Sequence, residues 1–188
     1  MVCSSFELFK IGVGPSSSHT MGPMSAAAMF VERLATAGKL QDVTRLETLL
    51  FGSLALTGKG HATDRATLLG LSGQRPENIE PDAADILVQR IRSSAKISLN
   101  GLQDIAFDEA ADVIFDQKKR LDFHSNAMRF NAYSGGEIID TRVYYSVGGG
   151  AILDEDQIGS NNPESGLWDV PHPFFSGADL LRIAEEKG

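Results

Sequence analysis

Between Thr48 and Thr57 runs Leu49-Leu-Phe-Gly-Ser-Leu-Ala-Leu56, eight residues without a charge. A run of that kind has no polar face to offer water, so the stretch 43–56 reads as a strand buried on both faces. Helical spacing surrounds it. Met24, Ala27, Ala28, Val31 and Leu34 predict a helix over 23–37, capped by Gly38. A second helix is expected over 62–71, stopped near Gly73. After a loop at 76–81, Pro81-Asp82 opens a third, with Ile86, Leu87 and Ile91 on one face. Residues 104–107 and 112–115 read as short extended pieces.

The second half of the chain alternates instead. Met128, Phe130 and Ala132 share one face, with Arg129 and Asn131 on the other. Ser134-Gly135-Gly136 is a turn signal, after which Ile139, Thr141, Val143, Tyr145 and Val147 alternate again. This predicts an antiparallel hairpin with one wet face. Buried strands joined by helices, followed by a hairpin, give an α+β (mixed α/β) expectation: a mixed sheet with helices packed on it. A further strand is expected over 6–13, an irregular segment over 154–173, and a helix over 177–188.

Charge and cysteine content exclude several functions. Seventeen basic against 25 acidic residues leave a net charge of −8, which speaks against nucleic acid and against anionic membranes as partners. No apolar run reaches the length of a membrane span, and no basic-then-apolar leader opens the chain, so the expected location is the cytoplasm. Cys3 is the only cysteine among 188 residues, so no intrachain disulfide forms and no iron–sulfur cluster can be held by this chain. No metal-ligand set is visible.

Two segments carry chemistry. In Gly12-Val-Gly-Pro-Ser-Ser-Ser-His-Thr-Met-Gly-Pro23, five hydrogen-bonding side chains, Ser16, Ser17, Ser18, His19 and Thr20, stand directly before a helix. Free N–H groups at that helix start favour a carboxylate or phosphate. The same spacing fits a serine-rich loop that only caps its helix, and the residues alone leave the two readings level. In Thr57-Gly-Lys-Gly-His-Ala-Thr-Asp64, a glycine-flanked loop joins a buried strand to a helix, where α/β proteins place ligands. His61 stands where a phosphate loop needs Ser or Thr, which argues against nucleotide binding. Asp64 either orients the His61 ring or caps the helix. His124-Ser125-Asn126 is a polar turn or part of a shared cleft, and Gly148-Gly149-Gly150 a ligand approach or a bend. His172, between two prolines, reads as structural or exposed.

Phe6-Glu-Leu-Phe-Lys-Ile-Gly-Val-Gly-Pro-Ser-Ser-Ser-His-Thr-Met-Gly-Pro-Met24 closely resembles the opening of the bacterial iron–sulfur L-serine dehydratases (L-serine ammonia-lyases). Gly58-Lys-Gly-His-Ala-Thr-Asp64, His124-Ser-Asn-Ala-Met-Arg-Phe130 and Tyr144-Tyr-Ser-Val-Gly-Gly-Gly150 match in order. The resemblance implies an N-terminal β domain or β subunit over residues 1–153. Residues 154–188 then form an irregular segment and the start of a linker towards a cluster-binding catalytic domain or α subunit. The implied fold is similar to the allosteric substrate-binding domain of some phosphoglycerate dehydrogenases. The implied reaction is β-elimination of L-serine to pyruvate and ammonia, with a [4Fe–4S] cluster held by that separate segment, and the chain alone is expected to be inactive. A homodimer is the expected assembly. His61 is the expected base, with His19 as runner-up. Ser16, Ser17, Ser18, Thr20, Lys59, Asp64, His124 and Asn126 are the expected substrate contacts. The alternative is a regulatory domain that binds serine or another small carboxylate and controls a catalytic partner.

Overall fold

A computed structural model describes residues 12–159, 172, 174 and 176–187. The strand expected over 6–13 lies almost entirely outside the described residues. The serine run, expected as a loop, is helical: Ser17–Met21 form a π-helical turn that continues directly into α1 (Gly22–Thr36). The wide turn has a local cause. Pro23 has no N–H to give to the carbonyl of His19, so an ordinary α-helical bond there is impossible. Ser16 is extended and caps the turn, its side chain accepting the His19 N–H.

Chain 45–73 corrects the sequence reading in one important place. The strand β1 (Arg45–Gly52) ends four residues before the apolar run does, and Ser53–Thr57 form a short helix, α2. Gly52 makes this break with φ +56 and ψ −124, and a Cβ on it would lie 2.3 Å from the Ser125 carbonyl oxygen. Only glycine fits there. Leu54 and Ala55 are still buried, by a helix rather than a strand, while Leu56 turns outward. A 3₁₀ turn, Gly58–His61, then leads to α3 (Thr63–Leu71), which stops before Gly73 as expected. Gly70 lets α3 lie backbone to backbone on α1, since a Cβ there would sit 2.2 Å from the Met24 carbonyl oxygen.

Helix α4 (Pro81–Ser94) buries Ala84, Val88 and Ile91. Ile86, expected on one face with Leu87 and Ile91, is 68% exposed; the i, i+4, i+7 row that packs starts at Ala84, and Ile86 falls off it. A two-stranded hairpin, β2 (Lys96–Leu99) and β3 (Gln103–Ala106), precedes the one-turn helix α5 (Glu109–Asp112) and β4 (Val113–Asp116). The long hairpin forms as expected from β5 (Asn126–Ser134) and β6 (Glu137–Gly148). Gly148-Gly149-Gly150 make the turn into β7 (Ala151–Asp154). Helix α6 (Glu155–Gly159) follows, so the irregular reading of residues 154–159 is corrected: Arg142 of β6 pairs with Asp154, Glu155 and Asp156 and holds this stretch in place. Residues 160–171 lie outside the described residues. Helix α7 (Gly177–Lys187) forms where helical spacing predicted one.

The main sheet, among the described residues, has the order β4-β1-β5-β6-β7, with β4 parallel to β1 and the other pairs antiparallel. This is the α+β fold with a mixed sheet that the sequence predicts. One face packs on α1 and α3 through Leu46, Leu50, Met128, Phe130 and Tyr144. The opposite face, expected to be wet, carries a second apolar cluster of Phe51, Ala127, Val143 and Tyr145. A bulge explains part of the discrepancy. Ala132 pairs with Asp140 and Tyr133 with Ile138, so Ile139 is an extra residue and joins the main core. The alternation beyond it therefore serves the other face.

Candidate functional site

The polar motifs gather at the carboxyl end of β1. Gly52 and Ser53 turn the chain away from the sheet there, and Ser53 N–H donates to the Ser125 carbonyl at 2.8 Å. The π-helical turn and the 3₁₀ turn lie side by side beyond it. Their histidines face each other, with His19 and His61 ring centroids 5.1 Å apart at 46°.

Two threonines interlock these turns. Thr20 Oγ1 donates to the His61 carbonyl at 2.7 Å, and Thr63 Oγ1 donates to the His19 carbonyl at 2.5 Å. The second bond uses the carbonyl that Pro23 leaves free. Both threonines are buried, so each bond also satisfies a carbonyl that water reaches poorly.

The two imidazoles are held differently. His61 Nδ1 lies 2.9 Å from the Thr57 carbonyl oxygen. A carbonyl only accepts, so Nδ1 carries the proton and the Nε2 of the neutral ring keeps its lone pair. His19 meets two hydroxyls: Nδ1 is 2.9 Å from Ser18 Oγ, and Nε2 is 3.0 Å from Ser53 Oγ. Partial burial, and secondly the charge of His61, hold the His19 pKa below the ordinary histidine value, against an opposing interaction with the Ser53 backbone. The uncharged form of His19 is favoured accordingly.

The remaining predicted residues divide. Ser16 is committed to the His19 N–H, whereas Ser17 is exposed and its hydroxyl takes no bond among the described residues. Asp64 does not reach His61: it accepts the Arg65 N–H at 2.8 Å and faces Arg92 at 3.6 Å. Lys59 lies over the Phe115 ring, 5.6 Å from its centroid. Both line a separate cleft of about 660 Å³ with Leu56, Glu109, Phe115 and Gln117. His124 Nδ1 accepts the Asn126 N–H at 3.1 Å, and Asn126 Nδ2 donates to the Ser146 carbonyl at 3.2 Å. His172 is exposed.

Sequence reasoning passed over Ser53 and Thr63. Ser53 was visible as the lone hydroxyl in an apolar run, directly after a glycine. Thr63 had a weaker signal, the proline four residues after His19 that frees a carbonyl to be bonded. Among the described residues no group of three or more His, Cys, Asp or Glu is placed to hold a metal ion. With Cys3 as its sole thiol, the donor set does not fit a [4Fe–4S] cluster. No helix among the described residues is long and apolar enough to cross a membrane.

Residues 4–157 match the family model described as serine dehydratase beta chain. The chain is 45% identical over 190 residues to the L-serine dehydratase of Streptomyces coelicolor, which covers all of this chain and 42% of that protein. It is 40% identical over 188 residues to L-serine dehydratase 2 of Escherichia coli, covering 98% of this chain and 40% of that protein. With the L-serine dehydratase of Helicobacter pylori, identity is 41% over 184 residues, covering 97% and 40% of the two chains. The chain thus spans about two fifths of the length of these relatives.

Proposed function

This chain belongs to the serine dehydratase beta chain family, and from that premise we propose that it supplies the proton-abstracting half of an L-serine ammonia-lyase. The reaction removes the α-proton and the β-hydroxyl of L-serine as water. The resulting aminoacrylate tautomerises and hydrolyses to pyruvate and ammonia. His61 takes the α-proton on Nε2. The observation that carries this reading is the bond from His61 Nδ1–H to the Thr57 carbonyl, which fixes the tautomer with a free Nε2. His19 beside it, its charged form disfavoured first by partial burial, leaves room for the positive charge that His61 gains.

Ser17 and Ser18 bind the substrate carboxylate, while Ser16 and Thr20 hold the turn that presents them. Because the donor set does not fit the [4Fe–4S] cluster, the cluster sits on a separate cysteine-bearing segment or subunit in this reading, and no step taken by this chain runs through it. The chain alone makes no pyruvate, works in the cytoplasm, and assembles with that segment in a homodimeric enzyme.

The test is an anaerobic pyruvate assay with L-serine, the chain joined to or mixed with the cysteine-bearing segment after cluster reconstitution. Turnover that requires this chain supports the lyase reading; full turnover by the partner alone overturns it. A regulatory small-carboxylate domain is favoured by one observation, the separate cleft that holds Lys59 and Asp64. Calorimetric binding of L-serine by the chain alone, lost in Lys59→Met, would support that reading.

A further inference from the structure

We infer that Ser53 is a positioning residue for His19, an inference that rests on the lyase reading of the paired histidine turns. Ser53 is placed by the sharp end of β1. Gly52 admits no side chain beside the Ser125 carbonyl, and the Ser53 N–H is tied to that same carbonyl at 2.8 Å. So anchored, its hydroxyl meets His19 Nε2 at 3.0 Å. Ser18 occupies the other ring nitrogen at 2.9 Å. The His19 ring is therefore suspended between two hydroxyls, each able to donate or accept.

That suspension suits a neutral ring in either tautomer, whereas a cationic ring needs both hydroxyls to accept. Among the described residues, His61 is the titratable group whose charge bears on His19. Ser53 thus holds the imidazole at a fixed place beside the base, where partial burial disfavours its charged form. The base can then gain a proton without a second cation 5.1 Å away.

The experiment is imidazole nitrogen NMR of the chain through a pH titration, with Ser53→Ala and Ser53→Thr, paired with pH–rate profiles of the reconstituted enzyme. In the unaltered chain the two His19 nitrogens are expected at intermediate, exchange-averaged shifts. Ser53→Ala should separate them and move the His19 midpoint, and Ser53→Thr should restore both. The acid limb of kcat should move in Ser53→Ala with little change in KM. The His61 signals report whether the fold survives, and Ser53→Cys, close in volume but a weak hydrogen-bonding partner, replaces Ser53→Ala if it does not. Unchanged His19 shifts and midpoint in a folded variant overturn the inference. Absence of serine turnover with the unaltered chain overturns the lyase reading instead, and leaves the NMR result standing.

Discussion

The 3₁₀ turn that carries His61 and the π-helical turn that carries His19 look alike in sequence, each a glycine-flanked segment ending in histidine and a nearby threonine. Their rings are set by opposite means. His61 is held by a backbone carbonyl, which dictates one tautomer. His19 is held by two hydroxyls, which dictate none. A ring with one enforced tautomer suits a base that presents the same lone pair at each turnover. A ring bracketed by hydroxyls, each able to donate or accept, is held in place in either tautomer. What separates the two is the partner of each nitrogen rather than the histidine itself.

The largest expected effect comes from removing the His61 ring. His61→Ala should lower pyruvate formation by about 10²–10⁴-fold in the reconstituted enzyme, while His19→Ala costs less. A reversed order would exchange the two roles. Next is Gly52→Ala, which forces a Cβ against a backbone oxygen at 2.3 Å and strains a conformation that L-residues avoid. It should cost about 3 kcal/mol or more in urea unfolding and separate Ser53 from His19.

The threonine interlock offers a finer cut. Thr20→Val and Thr63→Val each leave a carbonyl in the interlock without its donor and should each cost about 1–3 kcal/mol. Because the two bonds hold the same pair of turns together, the double variant should depart from additivity in a denaturation cycle. An additive result would mean that the turns are positioned independently.

A smaller effect separates the histidines by pH. His19 has a folded pKa below the ordinary 6.5 because of burial first and His61 second. The unfolded chain then binds the proton more readily than the folded one. Stability is fully present above 6.5 and is lost as pH falls through the depressed value. Thermal melts should decline over that window, and His19→Gln should flatten the decline. The smallest effect is expected at the other cleft, where Lys59→Met should leave serine turnover close to that of the unaltered chain.

Much of the scaffold was legible in the chain itself. The helical row from Met24 to Leu34, the stop near Gly73 and the hairpin turn at Ser134-Gly135-Gly136 all form where periodicity predicts. The misreadings have physical causes. A continuous apolar run does not distinguish a strand from a strand followed by a buried helix, so the break at Gly52 was hidden. Periodicity also cannot register an extra residue in a ladder, so Ile139 joins the main core while Val143 and Tyr145 serve the opposite face. At the site, His19, His61 and Ser18 were visible as residues, but Ser53 was counted as part of a strand.

The sequence by itself determined the layered α+β architecture and the family, because hydrophobic spacing and contiguous motifs are local properties of the chain. It also placed a helix start at the serine run and a glycine-flanked turn before α3. Only the tertiary structure decided which hydroxyl serves which nitrogen. It set His19 against His61 and Ser53, and it turned Asp64 and Lys59 towards a different cleft. The reason is that a hydrogen bond is selected by distance and direction between groups far apart in the chain, and those exist only once the sheet has brought its ends together.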